Sequence, residues 1–393
     1  MNSRERIALA MRHQMPDRVP VMCQLALGHY FLNTDLPPHK IWFTSEGFTE
    51  ALVTLQRRYR FDGILINLPG RPENTLDQVT SIEDTEDGEV LTWANGDTTF
   101  IPWNDNPHHH VADKSKPARA DFTTIDPDDL DFLDDLTGYI WNTYHIPYLA
   151  GKSKPRSLSE IPAYFFRTID LVKERVGDEV SVHGEVFSPL THFMELFGYE
   201  NALVNFLLDG AKTHAILDRL TEASIAWGVA QANYGVDAVL ISSAFVGGPF
   251  LSPKMYKEFV VPYERRVTDA IKAAGVPVYT HTCGSIGDRL ELMIETGTEG
   301  VDTLDPPPLG NTVLVEAKAQ IGDRVFIKGN MNAVELLAAQ TKEEVIAHAT
   351  DRILTGMPGG GYILSTACSV APKMEPWKLE LLVPLAEEIG RYE

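Results

Sequence analysis

The sequence predicts an α/β fold, a (β/α)8 TIM barrel with an inserted β-hairpin and helical arm after strand two. Eight short apolar runs are bounded by Gly, Pro or charged residues, and helical patterns separate most of them. No Gly-x-Gly-x-x-Gly motif follows any run, which counts against the alternative, an open doubly wound sheet. We therefore expect one domain over residues 1–393, with the insertion at about 77–150.

The predicted strands are rich in Val, Ile and Leu, as is typical of parallel strands buried on both faces. Function in such a barrel is expected at the carboxyl ends of the strands. The eight predicted strands are Arg18–Cys23, Asp62–Leu68, Glu179–Phe187, Val236–Ser242, Val276–His281, Gly300–Leu304, Val325–Lys328 and Gly361–Ser365.

Apolar residues at helical spacing predict the helices between these strands. Ser3–Gln14 is predicted as a short amphipathic helix that ends at Met15-Pro16-Asp17, and Ala202–Tyr234 as two helices. The other predicted helices are Pro253–Ala274, Ile286–Thr296, Asn311–Ile321, Thr341–Leu354 and Pro372–Ile389.

The stretch Asp77–Ala150 does not fit the alternation of strand and helix. The dipeptides Asp87-Gly88 and Asn95-Gly96 are strong signals for hairpin turns. An acidic linker follows at Asp121–Asp135. We interpret this stretch as an insertion after strand two, including a helical arm.

The overall charge and cysteine content limit the partners and the compartment. The chain has 34 Lys and Arg against 55 Asp and Glu, a net charge of −21, so nucleic acid and membrane surfaces are not expected partners. No signal peptide or membrane span is predicted. Three cysteines form no disulfide framework, which favours a cytoplasmic protein. A homo-oligomer is compatible with the sequence.

A group of metal-binding side chains is predicted at two strand ends. His281 and Cys283 are two residues apart on one strand, so their side chains point to the same face. Cys368 follows the last strand and could close the site. One imidazole and two thiolates suit Zn2+, and three ligands leave a fourth position open, as in catalytic sites. The alternative is that all three are ordinary core residues, as Cys23 is predicted to be.

Two further side chains are candidate catalytic residues. His183 and Glu185 share one face of a predicted strand near its carboxyl end. Glu185 could be a fourth zinc ligand that substrate displaces, or a general acid/base; the alternative is a salt-bridged carboxylate. His108-His109-His110 is a weaker candidate, because consecutive side chains diverge in extended backbone.

Several segments along the whole chain resemble one family. The chain is similar to the uroporphyrinogen decarboxylase superfamily, which includes zinc-dependent corrinoid methyltransferases. The matching segments are Arg4-Glu5-Arg6, Met15-Pro16-Asp17-Arg18-Val19-Pro20-Val21, Leu196-Phe197-Gly198-Tyr199-Glu200, Tyr234-Gly235-Val236-Asp237-Ala238, Leu251–Phe259, His281-Thr282-Cys283-Gly284, Lys328-Gly329-Asn330-Met331-Asn332 and Gly359–Leu364.

Two features place the resemblance in the methyltransferase branch. The decarboxylase branch carries arginines after strand one that bind substrate carboxylates, whereas Cys23–Phe31 contains none here. The methyltransferase branch carries a His-x-Cys pair and a later Cys as zinc ligands, which implies His281, Cys283 and Cys368. One departure is Ser242-Ser243, where many relatives have an acidic residue.

This resemblance implies a cobalamin-dependent (corrinoid-dependent) methyltransferase with Zn2+ as its cofactor. It would move a methyl group between a small methylated substrate, such as a methyl ether, amine or thiol, and a corrinoid on a partner protein, for instance as an O-demethylase component. Four aromatic residues could line a methyl-ether pocket: Tyr30, Phe187, Phe245 and Tyr362. The alternatives are a decarboxylase-like lyase acting on a carboxylated substrate, a non-catalytic barrel subunit and a zinc hydrolase.

Overall fold

A computed structural model of the chain describes residues 1–114, 119–130 and 161–392. The strands in this part are β1 Gly63–Ile66, β2 Val79–Asp84, β3 Gly88–Trp93, β4 Thr98–Pro102, β5 His108–His110, β6 Ser181–Phe187, β7 Ala238–Ser242, β8 Val278–Thr282, β9 Gly300–Thr303, β10 Phe326–Met331 and β11 Tyr362–Thr366.

The helices of the described residues lie mainly between successive parallel strands. They are α1 Ser3–Met11, α2 Leu27–Asn33, α3 Pro38–Phe43, α4 Ser45–Tyr59, α5 Arg167–Val176, α6 Pro189–Phe197, α7 Tyr199–Leu208, α8 Gly210–Asn233, α9 Pro253–Phe259, α10 Val261–Ala273, α11 Leu290–Glu295, α12 Leu314–Ile321, α13 Ala333–Ala338, α14 Lys342–Gly356, α15 Pro376–Glu380 and α16 Leu382–Ile389. None of them combines the length and apolar character that crossing a bilayer needs.

The main sheet is a curled, seven-stranded parallel sheet in the order β1-β6-β7-β8-β9-β10-β11. Each strand after β1 pairs in parallel with the one before it in this order, and every residue of these seven strands is buried. Helices on its outer side cover the sheet, as α8 does where it packs on β6. The arrangement is consistent with a TIM-like barrel.

The first predicted strand, Arg18–Cys23, is corrected by the structure, because it forms isolated bridges and no continuous strand. Val21 bridges Leu364 of β11, and the Asp62 N–H, next to β1, donates to the Val21 carbonyl. Pro20 has no N–H to donate to a neighbouring strand, and the Val21 N–H donates to the Asp62 carboxylate at 2.8 Å. This segment therefore lies between the two edge strands while making few sheet bonds.

The helix α1 closes the amino-terminal end of the barrel. Its buried residues Ile7, Ala10 and Met11 form one apolar cluster with Tyr279 of β8 and Phe326 of β10. The helix begins with a capping box between Asn2 and Glu5. This apolar cluster fills the interior of the barrel near its amino-terminal end.

Prolines and capping residues set helix boundaries that the apolar spacing alone did not give. The predicted helix Pro253–Ala274 is broken at Val260, since Pro262 begins a new helix, α10. The two helices predicted within Ala202–Tyr234 are present as α7 and α8, and the Asp209 side chain caps α8.

A second sheet follows β1 along the chain. It is antiparallel, in the order β2-β3-β4-β5, and turns containing Asp87 and Gly96 connect its first three strands. It packs on α3 through the rings of Phe43 and Trp93, whose centroids are 5.2 Å apart. Most of the predicted helical arm, and the end of the acidic linker, lie outside the described residues.

Candidate metal centre

Three of the predicted site residues meet at the carboxyl end of the main sheet. His281 is the fourth residue of β8, Cys283 follows that strand, and Cys368 lies two residues beyond β11. The His281 Nε2 lies 3.3 Å from the Cys283 Sγ, which lies 3.6 Å from the Cys368 Sγ. All three candidate ligand atoms lie within 4.8 Å of one another. The two sulfurs are too far apart for a disulfide bond.

These three side chains share protons that a metal ion would displace. A hydrogen bond with Cys283, together with one to His281, lowers the pKa of Cys368 to about 4 despite its burial. The same bond with Cys368 raises the pKa of Cys283 well above its usual value. Burial disfavours the charged imidazole, but bonds to Asp302 and Cys368 raise the pKa of His281 to about 10. One imidazole and two sulfurs fit a zinc ion, whose binding releases protons from its ligands.

The other nitrogen of His281 faces oxygen atoms of β9. Its Nδ1 lies 3.2 Å from the Asp302 Oδ2 and 2.9 Å from the Thr303 Oγ1. The Lys328 Nζ of β10 lies 3.0 Å from the Asp302 Oδ1. Sequence reasoning missed Asp302 and Lys328, although both are charged residues inside predicted buried strands. Their position in otherwise apolar runs was the available signal.

Glu185 lies near this cluster without joining it. Its carboxylate does not belong to the group of converging ligand atoms. Burial raises the pKa of Glu185 to about 7, and the neighbouring charge of His281 opposes this rise. Its Oε2 is buried and has no hydrogen-bond partner among the described residues. The carboxyl group is therefore available to a ligand in the barrel.

His183, the second predicted catalytic residue, already has partners for both ring nitrogens. They lie 3.0 Å from the Ser181 Oγ and 2.8 Å from the Tyr279 Oη. Burial, with the nearby charge of Lys328, lowers the pKa of His183 to about 3, so the ring is neutral. Its catalytic role stays a prediction, and this geometry offers no free nitrogen for a substrate.

Asp305 is a further carboxylate near the cluster that sequence reasoning missed. Its Oδ2 accepts the Gly284 N–H at 2.6 Å, which ties it to the residue after Cys283. Its Oδ1 is buried and has no partner among the described residues. Burial, and the nearby charge of Cys368, raise the pKa of Asp305 to about 6. An acidic residue two positions after β9 was the only sequence signal.

The remaining sequence candidates lie elsewhere. Cys23 is buried in the apolar core, as predicted. His108–His110 forms the edge strand β5 of the small sheet, where His109 contacts Thr99 and Asp97. Tyr362 cannot line a pocket, because its ring is buried on the outer side of the sheet against Gly356 of α14.

Comparisons with known proteins add the family. Residues 150–389 match the family model described as uroporphyrinogen decarboxylase (URO-D). The methylcobamide:CoM methyltransferase MtaA of Methanosarcina barkeri is 25% identical over 243 residues, 61% of this chain and 68% of that protein. A uroporphyrinogen decarboxylase of Nocardia farcinica is 32% identical over 197 residues, 49% of this chain and 52% of that protein.

A solved structure shares this fold. A methyltransferase from Methanosarcina mazei superposes with a TM-score of 0.66 and 18% identity, covering 99% of both chains. The curated relatives are matched over about half to two thirds of their own length. They include both methyltransferases and decarboxylases, so similarity alone does not choose the reaction.

Proposed function

Since the chain belongs to the uroporphyrinogen decarboxylase family, we propose that it is a zinc-dependent methyltransferase of that family. It moves a methyl group between a small methylated substrate and a corrinoid carried on a partner protein. The observation that carries this proposal is the convergence of His281, Cys283 and Cys368 at the open end of the barrel. Two thiol ligands also suit a reducing compartment such as the cytoplasm.

The proposed metal site uses the His281 Nε2 and the two cysteine sulfurs, with the fourth position left to substrate. Zinc there would hold a thiol acceptor as its thiolate, or polarise the heteroatom of a methyl donor. Glu185 and Asp305 each have a buried oxygen without a partner among the described residues, and each is a candidate for a fourth ligand that substrate would displace.

The chain's own side chains would handle the proton and the orientation. When a thiol is methylated, its proton leaves, and Glu185 can accept it because its pKa of about 7 lies near neutral pH. The partner's corrinoid would supply the methyl group, and the electron pair of the broken cobalt–carbon bond would stay with the corrinoid as the sulfur gains the methyl group. Demethylation is the reverse. His183 holds Tyr279 below this level through its hydrogen bond.

The donor set favours this reaction over the decarboxylase alternative. A carboxylated substrate needs cationic partners, since unpaired carboxylates are costly to bury. The segment Cys23–Phe31 offers no arginine, whereas two thiols and an imidazole converge on one point. A non-catalytic barrel subunit would not need three converging metal-binding side chains. The compatible substrates are therefore methyl ethers, methylamines and methylated thiols.

One experiment tests the reaction directly. The protein with one bound zinc is mixed with a reduced corrinoid protein and a panel of methyl ethers, methylamines and methyl thioethers, and corrinoid absorbance is followed. The reverse assay starts from the methylated corrinoid with thiols or phenols as acceptors. We expect transfer in one direction that a chelator abolishes, with Cys23→Ser unaffected. Absence of zinc-dependent transfer in both directions, with decarboxylation of a porphyrinogen, would contradict the proposal.

A further inference from the structure

Three charged or ionisable side chains form a row across neighbouring strands just below the cysteines. The strand register places His281 of β8 opposite Asp302 of β9, and Asp302 opposite Lys328 of β10. The side chains of Asp302 and Lys328 are each 2% exposed. Because the side chains of His281, Asp302 and Lys328 lie at one level of the sheet and are buried, they are direct neighbours.

Asp302 is held in one orientation from several directions. Its carboxylate receives the Lys328 Nζ at 3.0 and 3.1 Å and the Thr303 N–H at 2.9 Å. The Oδ2 atom of the same carboxylate also faces the His281 Nδ1, at 3.2 Å. A carboxylate with so many donors cannot turn away from the imidazole without leaving a buried ammonium unpaired, which is costly.

The consequence for His281 is a fixed ring position and tautomer. When Nδ1 carries the proton it donates to Asp302 and Thr303, and the lone pair of Nε2 then points toward the sulfurs of Cys283 and Cys368. Lys328 balances the charge of Asp302. The carboxylate can therefore orient the ring without adding net negative charge to a site that would have two thiolates when zinc is bound.

We propose that Asp302 and Lys328 are positioning residues that orient His281 for metal binding. Asp302 acts through its hydrogen bond to the ring, and Lys328 acts by anchoring Asp302. This inference rests on the metal centre of the proposed function and assigns two residues to it. It makes a claim about metal affinity that can be measured without any methyl substrate.

The test compares metal binding of the full chain with Asp302→Asn, Lys328→Met and the double variant. Zinc affinity is measured by competition with a chelator, and the ligand set by the cobalt(II) absorption spectrum, which contains thiolate-to-metal bands. We expect Asp302→Asn to bind zinc about 10–100-fold more weakly, the usual effect of losing such a partner, and Lys328→Met to show a smaller loss. Glu264→Gln, which changes a buried carboxylate bonded to Ser243, is the matched control and should bind like the parent.

The double variant separates positioning from a purely structural role. Asp302→Asn leaves Lys328 buried without its counter-charge, so the melting temperature should fall, and removing both charges should restore part of it. Metal affinity should stay low in the double variant, because the negatively charged partner of the His281 ring is still missing. Recovery of affinity together with the melting temperature, or parent-like affinity and cobalt spectrum in Asp302→Asn, would overturn the inference. Failure of the parent chain to bind metal through its thiols would instead overturn the proposed function.

Discussion

Buried polar groups lie at both ends of the barrel, and the two ends differ in how well their atoms are partnered. At the amino-terminal end, the Asp62 carboxylate is fully buried and is bonded to the guanidinium groups of Arg6 and Arg18 and to the Val21 N–H. At the carboxyl-terminal end, the sulfurs of Cys283 and Cys368 have mainly each other and His281.

The difference extends to the carboxylates around the cysteines. Glu185 and Asp305 each keep one buried oxygen without a partner among the described residues, whereas both oxygens of Asp62 are bonded. A buried carboxylate whose oxygens are all hydrogen-bonded stabilises the fold and has no free oxygen for a ligand. A buried oxygen without a hydrogen bond destabilises the fold unless a ligand binds to it. The comparison therefore predicts opposite outcomes for mutations at the two ends.

The largest expected effect is on metal binding. Cys283→Ser/Cys368→Ser should lower zinc affinity roughly a thousandfold or more, because thiolate ligands supply much of the binding free energy of such sites. Cys23→Ser, the third cysteine in the core, should bind zinc like the parent. Metal content after dialysis and chelator competition measure the effect. Full zinc occupancy in the double variant would show that the cysteines are not the ligands.

At the amino-terminal end the same kind of loss should appear as instability. Asp62→Asn leaves Arg18 buried without the carboxylate that it pairs with, and leaves Arg6 with Asp17 alone, which should cost about 3–5 kcal/mol of unfolding free energy. Urea denaturation measures it. Zinc affinity of the folded fraction should be unchanged, since the Asp62 side chain bonds to Arg6, Arg18 and Val21, which lie outside the metal centre. A stable Asp62→Asn variant would break the contrast between the two ends.

The sequence predicted most of the parallel strands because their apolar runs are long enough to show burial on both faces. It failed at Arg18–Cys23, where backbone groups bond to the Asp62 carboxylate and to β11 without forming a continuous strand. It also missed α2–α4, for which no helical pattern was recognised before β1. These elements depend on contacts that only the folded chain provides.

The convergence of His281, Cys283 and Cys368 could be predicted because His281 and Cys283 are close in sequence and chemically distinctive. The contact of His281 with Asp302 and of Asp302 with Lys328 could not be predicted. It depends on the register of β8, β9 and β10, which a single sequence does not give. Tyr362 was assigned to the wrong side of its strand, since the phase of the alternation is not visible in an apolar run.

The buried carboxyl group of Glu264 has hydrogen bonds but no charged partner, so it is intermediate between Asp62 and the carboxylates of the metal centre. It should make the free energy of unfolding depend on pH. Burial raises the pKa of Glu264 to about 7 from an ordinary 4.5, against bonds from Ser243 and Ser188. The unfolded chain therefore loses this proton first as the pH rises. Stability from this group is complete below the ordinary pKa and declines between about pH 4.5 and 7, by up to about 3 kcal/mol.

The variant Glu264→Gln removes this decline. Its unfolding free energy, relative to the parent, should rise between about pH 5 and pH 7.5, as urea denaturation at the two pH values can show. Ser243 keeps a partner of similar size in the variant, so the packing is preserved. Equal pH slopes in the two proteins would mean that Glu264 is ionised in the folded chain.

Glu185→Gln tests whether the unpartnered oxygen near the cluster is used. The fold should be preserved, because Glu185 makes no salt bridge in the described part of the chain and its Oε2 has no partner to lose. Turnover should fall at least about tenfold, as expected when a proton carrier is removed. Methyl transfer with substrates of different leaving-group acidity measures the effect. Unchanged turnover would return Glu185 to a structural role.

The smallest effect is expected at an exposed pair on the amino-terminal side of the barrel. Arg60 and Glu387 form a salt bridge at 2.5 Å, with side chains 55% and 37% exposed. Glu387→Gln makes the same carboxylate-to-amide change as Asp62→Asn, but water can solvate the arginine that is left. The cost should be at most about 1 kcal/mol and should shrink further in salt, by urea denaturation at low and high ionic strength. A loss similar to that of Asp62→Asn would mean that burial is not what makes the Asp62 group strong.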